Sequence, residues 1–249
     1  MKKLLIKILW ITLFGIAMGF LESAVVIYMR EIYYPAGFDF PLVLMSSKLV
    51  VTELLREAAT LLMLLSIGIL TGKSKTEKFA YFIYTFAIWD IFYYVFLKAI
   101  LCWPESWLTW DVLFLLPTVW TGPVIAPVIV SLTMILLSMY IVFANHKHND
   151  VLLSKREWVL LILGALVIIL SFTWDYCTYI LNEYSINELF SLQNKNIFAY
   201  AIKYVPVSFP WGIFTIGEGI ILGAIINMLI LANNKYHNRH LSSKQNQNK

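Results

Sequence analysis

Charge is scarce in this chain: Asp, Glu, Lys and Arg make up 14% of its 249 residues, where a soluble domain carries roughly a quarter. A water-soluble enzyme is thereby excluded. Histidine is scarce too, and all four, His146, His148, His237 and His240, fall in polar connecting or terminal segments. That excludes haem held by transmembrane histidine pairs and His-based zinc sites inside a membrane. The two cysteines, Cys102 and Cys177, lack CxxC spacing and read as small packing thiols. No Walker loop, GxSxG elbow, dinucleotide fingerprint or HExxH occurs. ATP-driven transport by this chain alone is excluded, and neither a metal nor a cofactor is expected.

What the chain has in abundance is apolar surface. Hydrophobic residues are 60% and aromatic residues 16% of the sequence, and mean hydropathy is +0.74. A helix crossing the hydrocarbon core needs about 20 mostly apolar residues, and six runs qualify, at 8–29, 49–71, 79–100, 122–143, 157–181 and 204–232. The expected fold is all-α: a polytopic six-transmembrane-helix bundle formed by residues 1–232, followed by a disordered polar cytoplasmic tail over 233–249. The first run continues for a full crossing, so it reads as a span and not as a cleaved signal peptide.

Six crossings put both termini on one side, and that side collects most of the basic residues. Only Arg30, Lys48, Arg56, Lys98, Lys195 and Lys203 lie elsewhere. The positive-inside rule then places both termini in the cytoplasm and the chain in the cytoplasmic (inner) membrane. Of the acids, only Glu77, Asp150 and Glu157 fall on that side. The basic rim follows from membrane insertion, so the partner is the lipid bilayer and no nucleic acid is expected.

Polar residues inside the spans are few and patterned. Gly15 and Gly19 stand at GxxxG spacing, with Met18 and Glu22 continuing their face. Glu53, Arg56, Glu57 and Thr60 follow i, i+3, i+4, i+7 and form one helical stripe. Asp90, Tyr94 and Lys98 share a face of the third span, Asp175 sits on the fifth, and Trp211, Thr215 and Glu218 come together on the sixth. Beside these last, Gly212, Gly219, Gly223 and Asn227 suggest a small-residue packing edge. Between the third and fourth spans, Trp103, Trp107, Trp110 and Phe114 recur at helical spacing after Pro104, which suggests a short outer interfacial helix. Trp89-Asp90 with the later Trp120, and Trp174-Asp175 with the later Trp211, suggest a weak internal repeat.

A charge at mid-membrane costs about 2.5 to 3.5 kcal/mol, so several together need a shared reason. The economical reason is one cavity opening outward, walled by Trp89, Trp120, Trp174, Trp211 and Tyr94. Too many acids face too few cations there for all to ionise, which suits acid/base chemistry. The expected roles are Asp90 and Asp175 as the acid/base pair, Glu22 and Glu218 tuning them, and Arg56 holding an anionic group, with Glu53 also in the substrate site. Trp-Asp-bearing helices with Pro104 and Glu105 nearby resemble small membrane-embedded lycopene cyclases, whose paired acids protonate a polyene. The consecutive acidic pair that follows proline in those enzymes is missing here, and membership is not assigned.

Three functions fit this pattern. The first is acid/base chemistry on a lipid or isoprenoid-like hydrophobic small molecule. A proton- or cation-coupled carrier would use the same carboxylates, but it needs an inward route, and the inner halves of the spans are nearly free of polar residues. A structural or assembly subunit, with protein partners the residues do not name, would need the polar cluster only for packing.

Overall fold

The structure is a computed structural model describing residues 1–148, 153–185 and 195–247. Asp150, counted above among the inner-side acids, lies outside the described residues. The elements in chain order are α1 (Lys2–Tyr33), α2 (Ser47–Thr71), α3 (Lys75–Leu101), β1 (Trp110–Phe114), β2 (Trp120–Pro123), α4 (Ile125–His148), α5 (Lys155–Leu181), α6 (Lys195–Ala201) and α7 (Trp211–Gln247). Six helices among the described residues are long and apolar enough to cross a membrane, and the protein is an all-α polytopic bundle.

Local chemistry sets the boundaries. Ser46, Ser74 and Ser154 cap the starts of α2, α3 and α5, each accepting a bond from the backbone N–H three residues on. At α5 the Ser154 N–H in turn donates to the Glu157 carboxylate, closing a capping box. The last membrane-length helix begins at Trp211 and not at 204, because Pro206 and Pro210 hold the preceding stretch out of the helix. Its candidate membrane span covers Trp211–Leu231. The polar tail expected to be disordered continues this helical backbone to Gln247, with no Pro or Gly after Gly223 to interrupt it.

α3 is the central helix, packed by α1, α2 and α4, while α5 pairs with α7. The expected GxxxG contact forms: a Cβ on Gly19 would lie 2.9 Å from the Trp89 carbonyl oxygen and one on Gly15 would lie 2.8 Å from Ile88 Cγ2, so α1 lies close against α3. The packing edge on α7 differs from expectation. Gly212, Gly219 and Gly223 have nothing within 4 Å of an added Cβ. The close crossing uses Gly217 against Gly164 instead, where a Cβ would meet Ile168 Cγ1 at 2.7 Å and the Gly164 carbonyl oxygen at 3.1 Å.

A paired substitution checks this. Gly217→Ala is expected to cost about 1 to 3 kcal/mol through overpacking. Gly223→Ala is expected to be neutral or stabilising by up to about 1 kcal/mol, since alanine is the better helix former. Unfolding midpoints in SDS titration would rank the two.

The interfacial helix is a second correction. Residues 110–114 and 120–123 form an antiparallel hairpin, with Asp111 opposite Gly122 and a bulge between Val112 and Phe114. Pro104 precedes the first strand and Pro117 lies in the turn between the two, while Val112, Phe114, Trp120 and Thr121 favour extended backbone. The tryptophan spacing fitted a helix, but pairing the two strands lets backbone groups bond one another where water is scarce. The hairpin feeds directly into α4, with the Ile125 N–H donating to the Trp107 carbonyl at 2.9 Å.

Candidate functional site

Three attachments hold the hairpin at the end of the bundle opposite the termini. Asp111 is 2% exposed and accepts from Arg30 Nη2 at 3.2 Å. Its other oxygen accepts from the Tyr94 hydroxyl at 3.3 Å and, more weakly, the Tyr93 hydroxyl at 3.4 Å. Glu57 on α2 receives the Leu115 N–H, 3.0 Å from one carboxylate oxygen and 3.1 Å from the other. Thr121 bonds the Tyr204 hydroxyl at 2.9 Å, and that hydroxyl donates to Asp175 at 2.8 Å.

Between the hairpin and α1, α2 and α3 lies a cavity of about 400 Å³. Five carboxyls line it, those of Glu22, Glu53, Glu57, Asp90 and Asp111, against the two guanidiniums of Arg30 and Arg56. Arg56 is spoken for: it pairs with both Glu22 and Glu53, its Nε reaching the Glu53 carboxylate at 2.8 Å. Arg30 is flattened against Trp103 at 3.8 Å and Phe38 at 4.4 Å, cation over ring face. Asp90 and Glu57 are the two acids of this cavity paired with no cation. Glu57 holds the Leu115 N–H of the hairpin, whereas the one hydrogen bond to Asp90 among the described residues comes from Ser131 Oγ at 2.7 Å.

A second cavity, of about 240 Å³, adjoins the first and shares Trp89, Asp90, Leu113 and Phe114 with it. Glu218 lines this second space and accepts from Thr133 Oγ1 at 2.9 Å. Trp120 also lines it and stacks on Phe172. Asp90 therefore stands where a polar chamber and an apolar one meet.

The residues expected to form the site are thus partly gathered. Glu22, Glu53, Arg56, Asp90, Trp89 and Tyr94 line the first cavity, while Glu218 and Trp120 line the second. Asp175, Trp174 and Trp211 line neither. Trp174 is 46% exposed and Trp211 38%, whereas Trp89 is 5% exposed, so the two Trp-Asp pairs of the apparent repeat have different surroundings. Lys98 turns away from Asp90 and donates to the Cys102 and Pro104 carbonyls at the end of α3.

Asp175 instead organises the chain before α7, accepting from the Tyr204 hydroxyl and from the Val207 and Ser208 N–H groups. Asp175→Ala is expected to cost about 1.5 to 3 kcal/mol, the range for bonds to a charged group. Limited proteolysis would show earlier cleavage within 203–210, and a variant as protease-resistant there as the wild type would contradict this role.

Arg30 and Asp111 were not expected in the site. Arg30 falls two turns after Glu22 on the same helix, so its place was open to the i, i+4, i+8 pattern. Asp111 carried no such signal, because its side depends on the strand pairing. Compared with protein families, with curated proteins and with solved structures, the chain matches none.

Proposed function

We propose that the protein is an integral membrane enzyme that performs acid/base chemistry on a lipid or isoprenoid-like molecule. The observation that carries this reading is Asp90, a carboxyl without a cationic partner where the two cavities meet. Asp90 can give a proton to a substrate carbon, while another carboxylate of the chamber, Glu57 or Glu22, takes one back. The proton count closes, no co-reactant is consumed, and the net change is an isomerisation. Aromatic faces and surplus acids stabilise positive charge as it develops on the substrate.

A carrier is the second reading, because the second cavity runs past Asp90 to Phe79 and Leu161 near the starts of α3 and α5. It ranks lower because the walls beyond Glu218 are almost wholly apolar and would offer a moving cation few oxygen ligands.

The test is isotopic. Purified protein in nanodiscs loaded with a total membrane lipid extract is incubated in D2O, and the lipids are followed by mass spectrometry. Deuterium entering a non-exchangeable position of one lipid class, dependent on the protein, is the expected result. No such incorporation from any extract would overturn the reading.

A further inference from the structure

Three residues that line the second cavity each carry a buried polar atom without a partner among the described residues: Nε1 of Trp89, Nε1 of Trp120 and Oε1 of Glu218. Trp89 is 5% and Glu218 6% exposed, so water outside the bundle does not satisfy them. An unmet buried donor or acceptor is costly, because its bond to water is lost and not replaced, and the three residues that carry these atoms line one space of about 240 Å³. A single water occupies roughly 10 to 15 Å³ on such a scale and needs two to four polar partners. Of the remaining wall, Ser131 donates to Asp90 and Thr133 donates to Glu218, and the rest, with Leu137, Ile168 and Ile221 among its residues, is hydrocarbon.

From these groups we infer that the second cavity binds a neutral isoprenoid-like alcohol, its hydrocarbon body against the apolar wall and its hydroxyl among Glu218, Trp89 and Trp120. A hydroxyl is both donor and acceptor. Its O–H donates to Glu218 Oε1, and its lone pairs accept from the indole N–H groups. A plain hydrocarbon leaves all three unmet. An anionic head is repelled by Glu218 when ionised and meets no cation there, since Arg30 and Arg56 line the other cavity. The inference deepens the proposed function by naming the class of molecule that extends from Asp90 into this space.

The probe is farnesol carrying a diazirine and an alkyne, added to the full chain in phosphatidylcholine nanodiscs and crosslinked by light. Adducts are expected on Val130, Met134 or Ile221, displaced by unlabelled farnesol and much less by the hydrocarbon farnesene. Ala165→Phe fills the cavity and is expected to remove these adducts. Trp120→Phe keeps a ring but deletes one N–H, and Glu218→Leu deletes the acceptor. Each is expected to weaken farnesol competition about tenfold, the loss of one hydrogen bond.

Adducts confined to the lipid-facing Leu132, Leu136 and Ile226 overturn the inference. So does farnesene competing as well as farnesol, or a folded Ala165→Phe protein that labels like wild type. If Ala165→Phe does not fold, unchanged competition in Trp120→Phe and Glu218→Leu overturns it alone. Binding without deuterium incorporation would sink the enzymatic reading and leave this site standing, and the reverse result would sink only the site.

Discussion

Asp90→Asn is expected to lower deuterium incorporation by about 10² to 10⁴-fold, the usual worth of a positioned general acid, with little change in stability. Asparagine keeps the size of the side chain and an oxygen that can accept from Ser131, so the α3–α4 contact survives. It has no acidic proton to deliver. Asp90→Glu retains the acid with a longer reach and is expected to recover part of the rate. Were rate and unfolding midpoint to fall together in Asp90→Asn, the carboxyl would be a packing element. A full rate with unchanged stability would remove Asp90 from the chemistry altogether. Glu57 and Glu22 can then be compared as proton acceptors, because each is already held, one by Leu115 and one by Arg56.

The largest stability effect is expected at Asp111. Removing it as Asp111→Ala strands the Arg30 guanidinium, which is 7% exposed and lies between the faces of Trp103 and Phe38. Breaking a buried pair by deleting one partner costs about 3 to 5 kcal/mol, because the remaining charge is neither solvated nor neutralised. Converting both, as Arg30→Leu with Asp111→Leu, is expected to cost clearly less than Asp111→Ala alone, since no charge is left behind. SDS-titration midpoints would decide. Equal destabilisation by the single and double variants would mean that the hairpin is held by Glu57 and Tyr204 and not by the ion pair.

The same carboxyl makes stability depend on pH. Burial pushes Asp111 up to about 6 from an ordinary value of 3.8, outweighing Arg30, the Val112 N–H and the two tyrosine hydroxyls. The folded chain therefore holds this proton more tightly than the unfolded one. Its contribution to stability is full below 3.8 and is lost as pH rises through about 6. Wild-type protein is expected to lose stability across that interval with a component that Asp111→Asn lacks.

Periodicity alone was enough to locate the six spans, because each is a long apolar run whose ends carry caps, prolines or lysines that local chemistry reads directly. It also brought Glu53, Arg56 and Glu57 onto one stripe of α2 and Glu22 onto the α1 face that meets α3, since those relations are set within a single helix. Partner choice was different. Whether Gly217 or Gly223 faces α5, and whether Arg56 is neutralised by Glu22, depends on which helices become neighbours.

The hairpin shows the limit most clearly. Trp103, Trp107 and Trp110 keep helical spacing, yet the segment pairs as strands because Asp111, Leu115 and Thr121 find partners on α1, α2, α3 and the chain before α7. Those partners lie far away in the sequence, and only packing brings them within bonding distance. The amino-acid order determined that this chain crosses a membrane six times and buries acids there. Tertiary structure alone decided which acids are left without a cation, because pairing among Glu22, Glu53, Arg56, Arg30 and Asp111 is settled by distances across helices. Of the two carboxyls of the first cavity that those pairings leave over, Glu57 holds the hairpin and Asp90 stands between the two cavities.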